Sequence, residues 1–180
     1  MNLCGWILKR AGWKVAITAP RRDKCVICVA PHTSNWDFPI GLFAYQSLRR
    51  KANFLMKESW FCFPLKYLFE SLGGIPVPRH RSGDLTRTLI NDFRKRKYMN
   101  LAVTPEGTRA GVTQWHTGFL RIAYGAGVPV QLGIIDYRRR LVTIKDEMQP
   151  TGDPEADLKH VKEYYSAYGN CARYPEKFNA

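Results

Sequence analysis

The sequence predicts an α/β fold: one layered domain, with a mainly parallel central sheet flanked by helices. Three observations carry that expectation. Short apolar runs rich in Val and Ile alternate with amphipathic segments of about ten to fifteen residues, the pattern of strands joined through crossover helices. Two of the runs stop abruptly in polar turns, Cys25–Ala30 at Pro31-His32-Thr33-Ser34-Asn35 and Met99–Thr104 at Pro105-Glu106-Gly107-Thr108-Arg109, as buried strands do when they open onto a sheet edge. A chain of 180 residues can bury a core with neither disulfide nor metal. It shows no repeat, low-complexity tract or linker, so residues 1–180 are read as a single domain.

The elements follow in order. The opening MNLCGWILKRAGWKV is read as an N-terminal helix within residues 1–17. Its Trp6, Trp13, Lys9, Arg10 and Lys14 suit a lipid interface, but its apolar residues spread round the helical wheel, so docking on the core fits equally. After a loop (Thr18 to Lys24) and the first strand, Phe38 to Lys51 reads as a helix with Pro39 in its first turn. Asn53 to Met56 is a short strand, and Glu58 to Leu72 a kinked or two-part helix broken by Pro64. Gly73-Gly74 punctuates, and the two prolines of IPVPR (Ile75 to Arg79) place that piece at a sheet edge or in a loop. Leu85, Leu89, Ile90 and Phe93 share a helical face opposite Arg87, Asn91, Arg94 and Lys95. The Arg94–Lys97 tail reads as a solvated helix end or a patch facing phosphates. Met99 to Thr104 is a strand, Thr117 to Ala126 a helix and Val128 to Ile135 a strand. A turn at Arg138-Arg139-Arg140 leads to an antiparallel partner at Leu141 to Ile144. Pro154 to Tyr168 closes the chain as a helix.

A formal net charge of +13 points to an anionic partner: nucleic acid, an anionic membrane surface or phosphorylated substrates. No RNP-like, KH or zinc-finger signature supports nucleic acid, and none is expected as a partner. The five cysteines, Cys4, Cys25, Cys28, Cys62 and Cys171, read as reduced thiols of a cytosolic protein. Cys25 and Cys28 sit in one strand at an odd separation, which sends them to opposite faces, so no metal is expected. No apolar run reaches the eighteen or so residues of a spanning helix.

In parallel α/β sheets ligands bind beyond the carboxyl ends of the strands. His32, Glu106–Arg109 and, if IPVP is a strand, Arg79 would all fall on that edge. His32 and Asp37 are five residues apart, and on one helix they would diverge by roughly 140°, so a contact between them requires the chain to turn. With that turn, Asp37 could hold one imidazole nitrogen while the other takes a proton from a hydroxyl. Alternatively, Asp37 or Ser34 caps the helix that follows and His32 is a satisfied loop histidine. In the second turn Arg109 can grip a phosphate, amides around Gly107 can donate to an anion, and Glu106 beside Arg109 would restrain it; alternatively this is a surface turn with a local Glu106–Arg109 ion pair.

These blocks, in this order, resemble the glycerolipid acyltransferase family, whose best-known members are lysophosphatidate (1-acyl-sn-glycerol-3-phosphate) acyltransferases. The H-x4-D block is His32 to Asp37, with Ser34 at the family's usual serine. Gly74 to Arg79 ends in the family's arginine, Glu106-Gly107-Thr108-Arg109 is the third block, and Val128-Pro129-Val130 the fourth. The chain departs from the pattern at Pro31, Pro105, Ala110 and Gln131. The resemblance implies a glycerol-3-phosphate acyltransferase-like fold and a peripheral protein on the inner, cytoplasmic face of a membrane. His32 would act as general base with Asp37 as its orienter, on the free hydroxyl of a lysophospholipid in phospholipid biosynthesis. Acyl-CoA or acyl-acyl carrier protein would be co-substrate, with no bound cofactor. Arg79 and Arg109 would hold the phosphate, Glu106 and Thr108 would shape the arginine's pocket, and amides near Gly107 are candidates for the oxyanion. A thioesterase, with water replacing the lipid hydroxyl, is the neighbouring reading.

Overall fold

The structure is a computed structural model and describes residues 2–77 and 82–180. Seven strands form one sheet in the order β1-β7-β6-β2-β5-β3-β4. They are β1 (Lys14–Ile17), β2 (Lys24–Val29), β3 (Asn53–Lys57), β4 (Gly74–Val77), β5 (Met99–Val103), β6 (Val130–Asp136) and β7 (Leu141–Met148). All neighbours pair in parallel except β6 and β7. The expected layered α/β architecture is therefore present, with the antiparallel element where the sequence placed it.

Helices cover both faces. On one side α1 (Leu3–Arg10) packs on α2 (Asp37–Ser47), and Ile40 and Ala44 of α2 meet Ile135 and Val142 of the sheet. The other face carries α4 (Ser82–Lys95), α5 (Gly118–Ala126) and α6 (Pro154–Ser166). There Leu89, Phe93, Leu120, Val161 and Tyr165 close over Val26, Cys28 and Leu101. Strand β2 is buried from Cys25 to Cys28, as a central strand covered on both faces should be. Cys25 packs with Tyr45 on the first face and Cys28 on the second, the division their spacing predicts. Each fully buried aliphatic or aromatic side chain contributes about 1.5–3 kcal/mol.

Local chemistry explains the element ends. Asp153 caps α6, accepting from the Glu155 and Ala156 amides at 3.0 and 3.1 Å, with Pro154 in the first turn. Pro76 lies in β4, which has a neighbour on one side only, where a missing N–H is tolerated. The 58–72 segment divides at Pro64 into a short 3-10 turn (Glu58–Trp60) and α3 (Leu65–Leu72), and α3 buries none of its residues.

Three boundaries differ from expectation by more than about two residues. The N-terminal helix does not reach residue 17. Gly12 adopts φ +77° while the Trp13 amide returns to the Leu8 carbonyl at 2.8 Å, a left-handed stop suited to glycine, and Lys14–Ile17 becomes the parallel partner of β7. Helix α2 ends at Ser47 because Arg49 takes φ +54°, turning the chain so that Ala52 and Asn53 enter the sheet buried. Strand β7 runs on to Met148, with a register shift opposite Leu132/Gly133. Gln131, a departure from the family pattern, is fully buried; its amide nitrogen donates to the Pro20 carbonyl at 2.8 Å and to Glu147 at 3.2 Å, so it ties the loop ahead of β2 to the sheet.

Candidate active site

Because β2, β5 and β6 run parallel, their carboxyl ends lie on one edge, and each delivers part of a cluster. Beyond β2 the chain turns through residues 30–36, and α2 begins at Asp37. That turn brings His32 and Asp37 together: Nδ1 lies 2.9 Å from Asp37 Oδ2. The same oxygen accepts the Thr33 and Ser34 amides, each at 3.0 Å, which folds the loop back on the carboxylate. Asp37 is 4% exposed, and the N-terminus of α2 is a favourable place for its charge.

The helix-cap alternative does not hold. The N-cap residue is Trp36, with no side-chain cap bond. Asp37 turns to the loop and Ser34 Oγ accepts the Trp36 amide at 3.2 Å. With Nδ1–H donating to Asp37, Nε2 of His32 keeps its lone pair and, among the described residues, has no protein partner. The imidazole is 16% exposed, so it is reachable and largely shielded.

Beyond β5, Glu106 turns inward and is 2% exposed. Its Oε1 accepts the His32 amide at 2.7 Å, fixing the backbone of the dyad from a second strand end. Burial pushes this carboxyl up to about 7; the His32 amide opposes the shift and the negative charge of Asp37 adds to it. Gly107 takes φ +66°, a left-handed conformation that favours glycine, and the ring of the exposed His116 stands 2.7 Å from where a Cβ would lie. The expected Glu106–Arg109 ion pair is not among the described contacts, because Glu106 is buried against His32 while Arg109 and Thr108 are exposed. Thr108 Oγ1 accepts the Ala110 amide at 3.3 Å, and the Gly107 amide closes the turn onto Thr104 O at 3.2 Å instead of standing free for an oxyanion. Arg79 lies outside the described residues; β4 brings the chain to Val77 on the same edge.

Beyond β6, Tyr137 donates its hydroxyl to Asp37 Oδ1 at 2.5 Å. Burial, and next the bond to Asp37, raise this phenol above its usual range, so it remains a donor at physiological pH. Sequence reading missed Tyr137, as it missed the cavity that the site opens into. A hollow of about 380 Å³ lies between α2 and the sheet, with Ile27, Phe38, Leu42, Phe54, Ala102 and Ile135 among its walls and His32 and Asp37 at its polar end. A proton acceptor at the head of a hydrocarbon-lined cavity suits chemistry at the polar end of an aliphatic chain.

Comparison with known proteins bears on the fold and the family. No curated protein sequence matches the chain significantly. Among solved structures, the fold is similar to the crystal structure of the 1-acyl-sn-glycerophosphate (LPA) acyltransferase PlsC from Thermotoga maritima, with a TM-score of 0.66 and 21% identity, covering 92% of this chain and 74% of that one. The family model described as Acyltransferase matches residues 14–132, a span that holds both strand-end turns bearing His32, Asp37 and Glu106. The chain belongs to the acyltransferase family.

Proposed function

We propose that the protein moves a fatty acyl group from an acyl thioester, acyl-CoA or acyl-acyl carrier protein, to the free hydroxyl of a lysophospholipid in phospholipid biosynthesis. The leading acceptor is 1-acylglycerol-3-phosphate, the substrate class in the name of the structural relative. The observation that carries this reading is the His32–Asp37 pair, 2.9 Å apart, at the polar end of the apolar cavity. Nε2 of His32 takes the hydroxyl proton as the oxygen attacks the thioester carbonyl. The tetrahedral intermediate then collapses with cleavage of the C–S bond, and the imidazolium returns the proton to the departing thiolate. The cavity takes an aliphatic chain. Arg109, exposed on the same edge, and Arg79 supply guanidinium groups for the phosphate.

The surface supports an anionic membrane as partner. Trp60, Phe63, Tyr67 and Leu68 are 53, 84, 67 and 52% exposed, a contiguous apolar and aromatic face of the kind that meets a lipid interface. Leu3 and Trp6 of α1 are exposed as well. With a net charge of +13, an anionic membrane surface fits as the place where the protein works, bound peripherally on the cytoplasmic side. Among the described residues no helix is long and apolar enough to cross a membrane.

The test is mass spectrometry of products from a panel of lysolipid acceptors with acyl-CoA and acyl-carrier-protein donors. We expect diacyl product that requires acceptor, and a loss of at least about a thousandfold in His32→Ala. Free fatty acid formed equally with and without acceptor would establish the thioesterase instead. Full turnover by folded His32→Ala would remove the dyad from the chemistry.

A further inference from the structure

We propose that Tyr137 is a positioning residue for the His32–Asp37 pair, locking the plane of the Asp37 carboxylate so that His32 keeps Nδ1 protonated and Nε2 aimed at the acceptor hydroxyl. The inference rests on the acyl-transfer reading and extends it to a residue beyond the 14–132 span of the family match.

The two oxygens of Asp37 are held differently. Oδ2 takes three donors, His32 Nδ1 and the Thr33 and Ser34 amides, all from the one loop. Among the described contacts Oδ1 has a single donor, the Tyr137 hydroxyl at 2.5 Å. A carboxylate pinned through one oxygen can still swing about its terminal torsion, which is broad and soft. A donor on the second oxygen, from a different strand, removes that freedom.

Tyr137 is itself built in. It follows Asp136, the last residue of β6, and its amide donates to the Cys171 carbonyl at 2.9 Å. Trp13 meets its ring edge-on, with centroids 5.2 Å apart at 87°, and the Arg173 guanidinium lies over the ring at 5.9 Å. The next residue, Tyr174, donates its amide to Thr33 Oγ1 at 3.2 Å, so one segment near residue 173 steadies both the tyrosine and the loop it addresses. The charged or polar groups facing the phenol are Asp37, Arg173 and the Ser34 hydroxyl. A role in packing alone would not require the hydroxyl.

The experiment is steady-state kinetics of Tyr137→Phe with the productive donor and acceptor that the panel identifies, across pH, alongside chemical denaturation. We expect kcat to fall roughly tenfold with little change in KM. The acid limb of kcat/KM should move to higher pH, because an aspartate that no longer shares its charge with a phenol proton holds the imidazolium proton more tightly. Installing 3-fluorotyrosine at 137, a stronger donor, should move the limb the opposite way, and this variant decides the matter if Tyr137→Phe does not fold. Unchanged kcat and limb in the folded variants, or a rate loss that tracks lost folded protein with the limb unmoved, would overturn the proposal. Failure of the acyl-transfer reading would show separately, as free fatty acid formed equally with and without acceptor.

Discussion

The geometry of His32 is set from three directions, its own loop and two neighbouring strand ends, and each support can be tested singly. Glu106→Ala leaves the His32 amide without its 2.7 Å acceptor; displacement of the imidazole by even an ångström should lower kcat on the order of a hundredfold, read in the product assay at constant folded fraction. Glu106→Gln keeps the shape and removes the charge. In the wild type this carboxyl ionises near 4.5 when unfolded and near 7 when folded. The folded state therefore holds its proton longer, and stability present below pH 4.5 is lost as the pH rises towards 7. The cost above pH 7 is about 3 kcal/mol as an upper figure, so the glutamine variant should gain on the wild type between pH 5 and pH 8 in denaturant titrations; a constant difference would refute the assignment. His32 and Glu106 were legible because each stands just past an apolar run, and Asp37 because of its spacing from His32. The partner of Glu106 was not, since adjacency in sequence favoured Arg109 while the actual contact spans 74 positions. Tyr137 lies 100 positions from Asp37 and at a hairpin corner resembles any strand-end aromatic.

Helix α2 carries two duties, presenting Asp37 at its first turn and roofing the cavity along its length. Gly41 stands on that roof, and a Cβ there would lie 3.6 Å from Ile135 Cδ1, an ordinary contact. Gly41→Ala should thus be accommodated and stabilise the protein by about 0.5–1 kcal/mol through helix propensity, measured as a rise in the denaturation midpoint. Gly41→Leu should fill part of the hollow and shift the preferred donor towards shorter acyl chains in a competition among acyl-CoA lengths; an unchanged profile would place the acyl group elsewhere. Most elements could be read from periodicity, including the central buried strand and the cleanly amphipathic α4. Strand β1 could not. Lys14–Ile17 offers four residues without a two-sided pattern, and its strand identity comes from pairing with β7, more than a hundred residues later, which is tertiary information.

For the whole molecule, the +13 charge and the apolar face around α3 predict two-stage attachment to lipid, attraction first and insertion second. Co-sedimentation with vesicles rich in anionic lipid should weaken with salt, while Phe63→Ser combined with Tyr67→Ser and Leu68→Ser should lower the bound fraction about tenfold at low salt. Binding indifferent to both changes would disprove the surface. The parallel sheet and the shared edge of the turns were readable from the order of elements; the strand order was not, because nothing local to β2 says that β5 and β6 will flank it. That placement also governs when the enzyme comes into being. Synthesis releases β2 early, but its two neighbours follow only after residues 99 and 130, and the contacts from Cys171 and Tyr174 come later still. A growing chain therefore carries the His32–Asp37 loop without the scaffold that aims it until those later segments have emerged and folded.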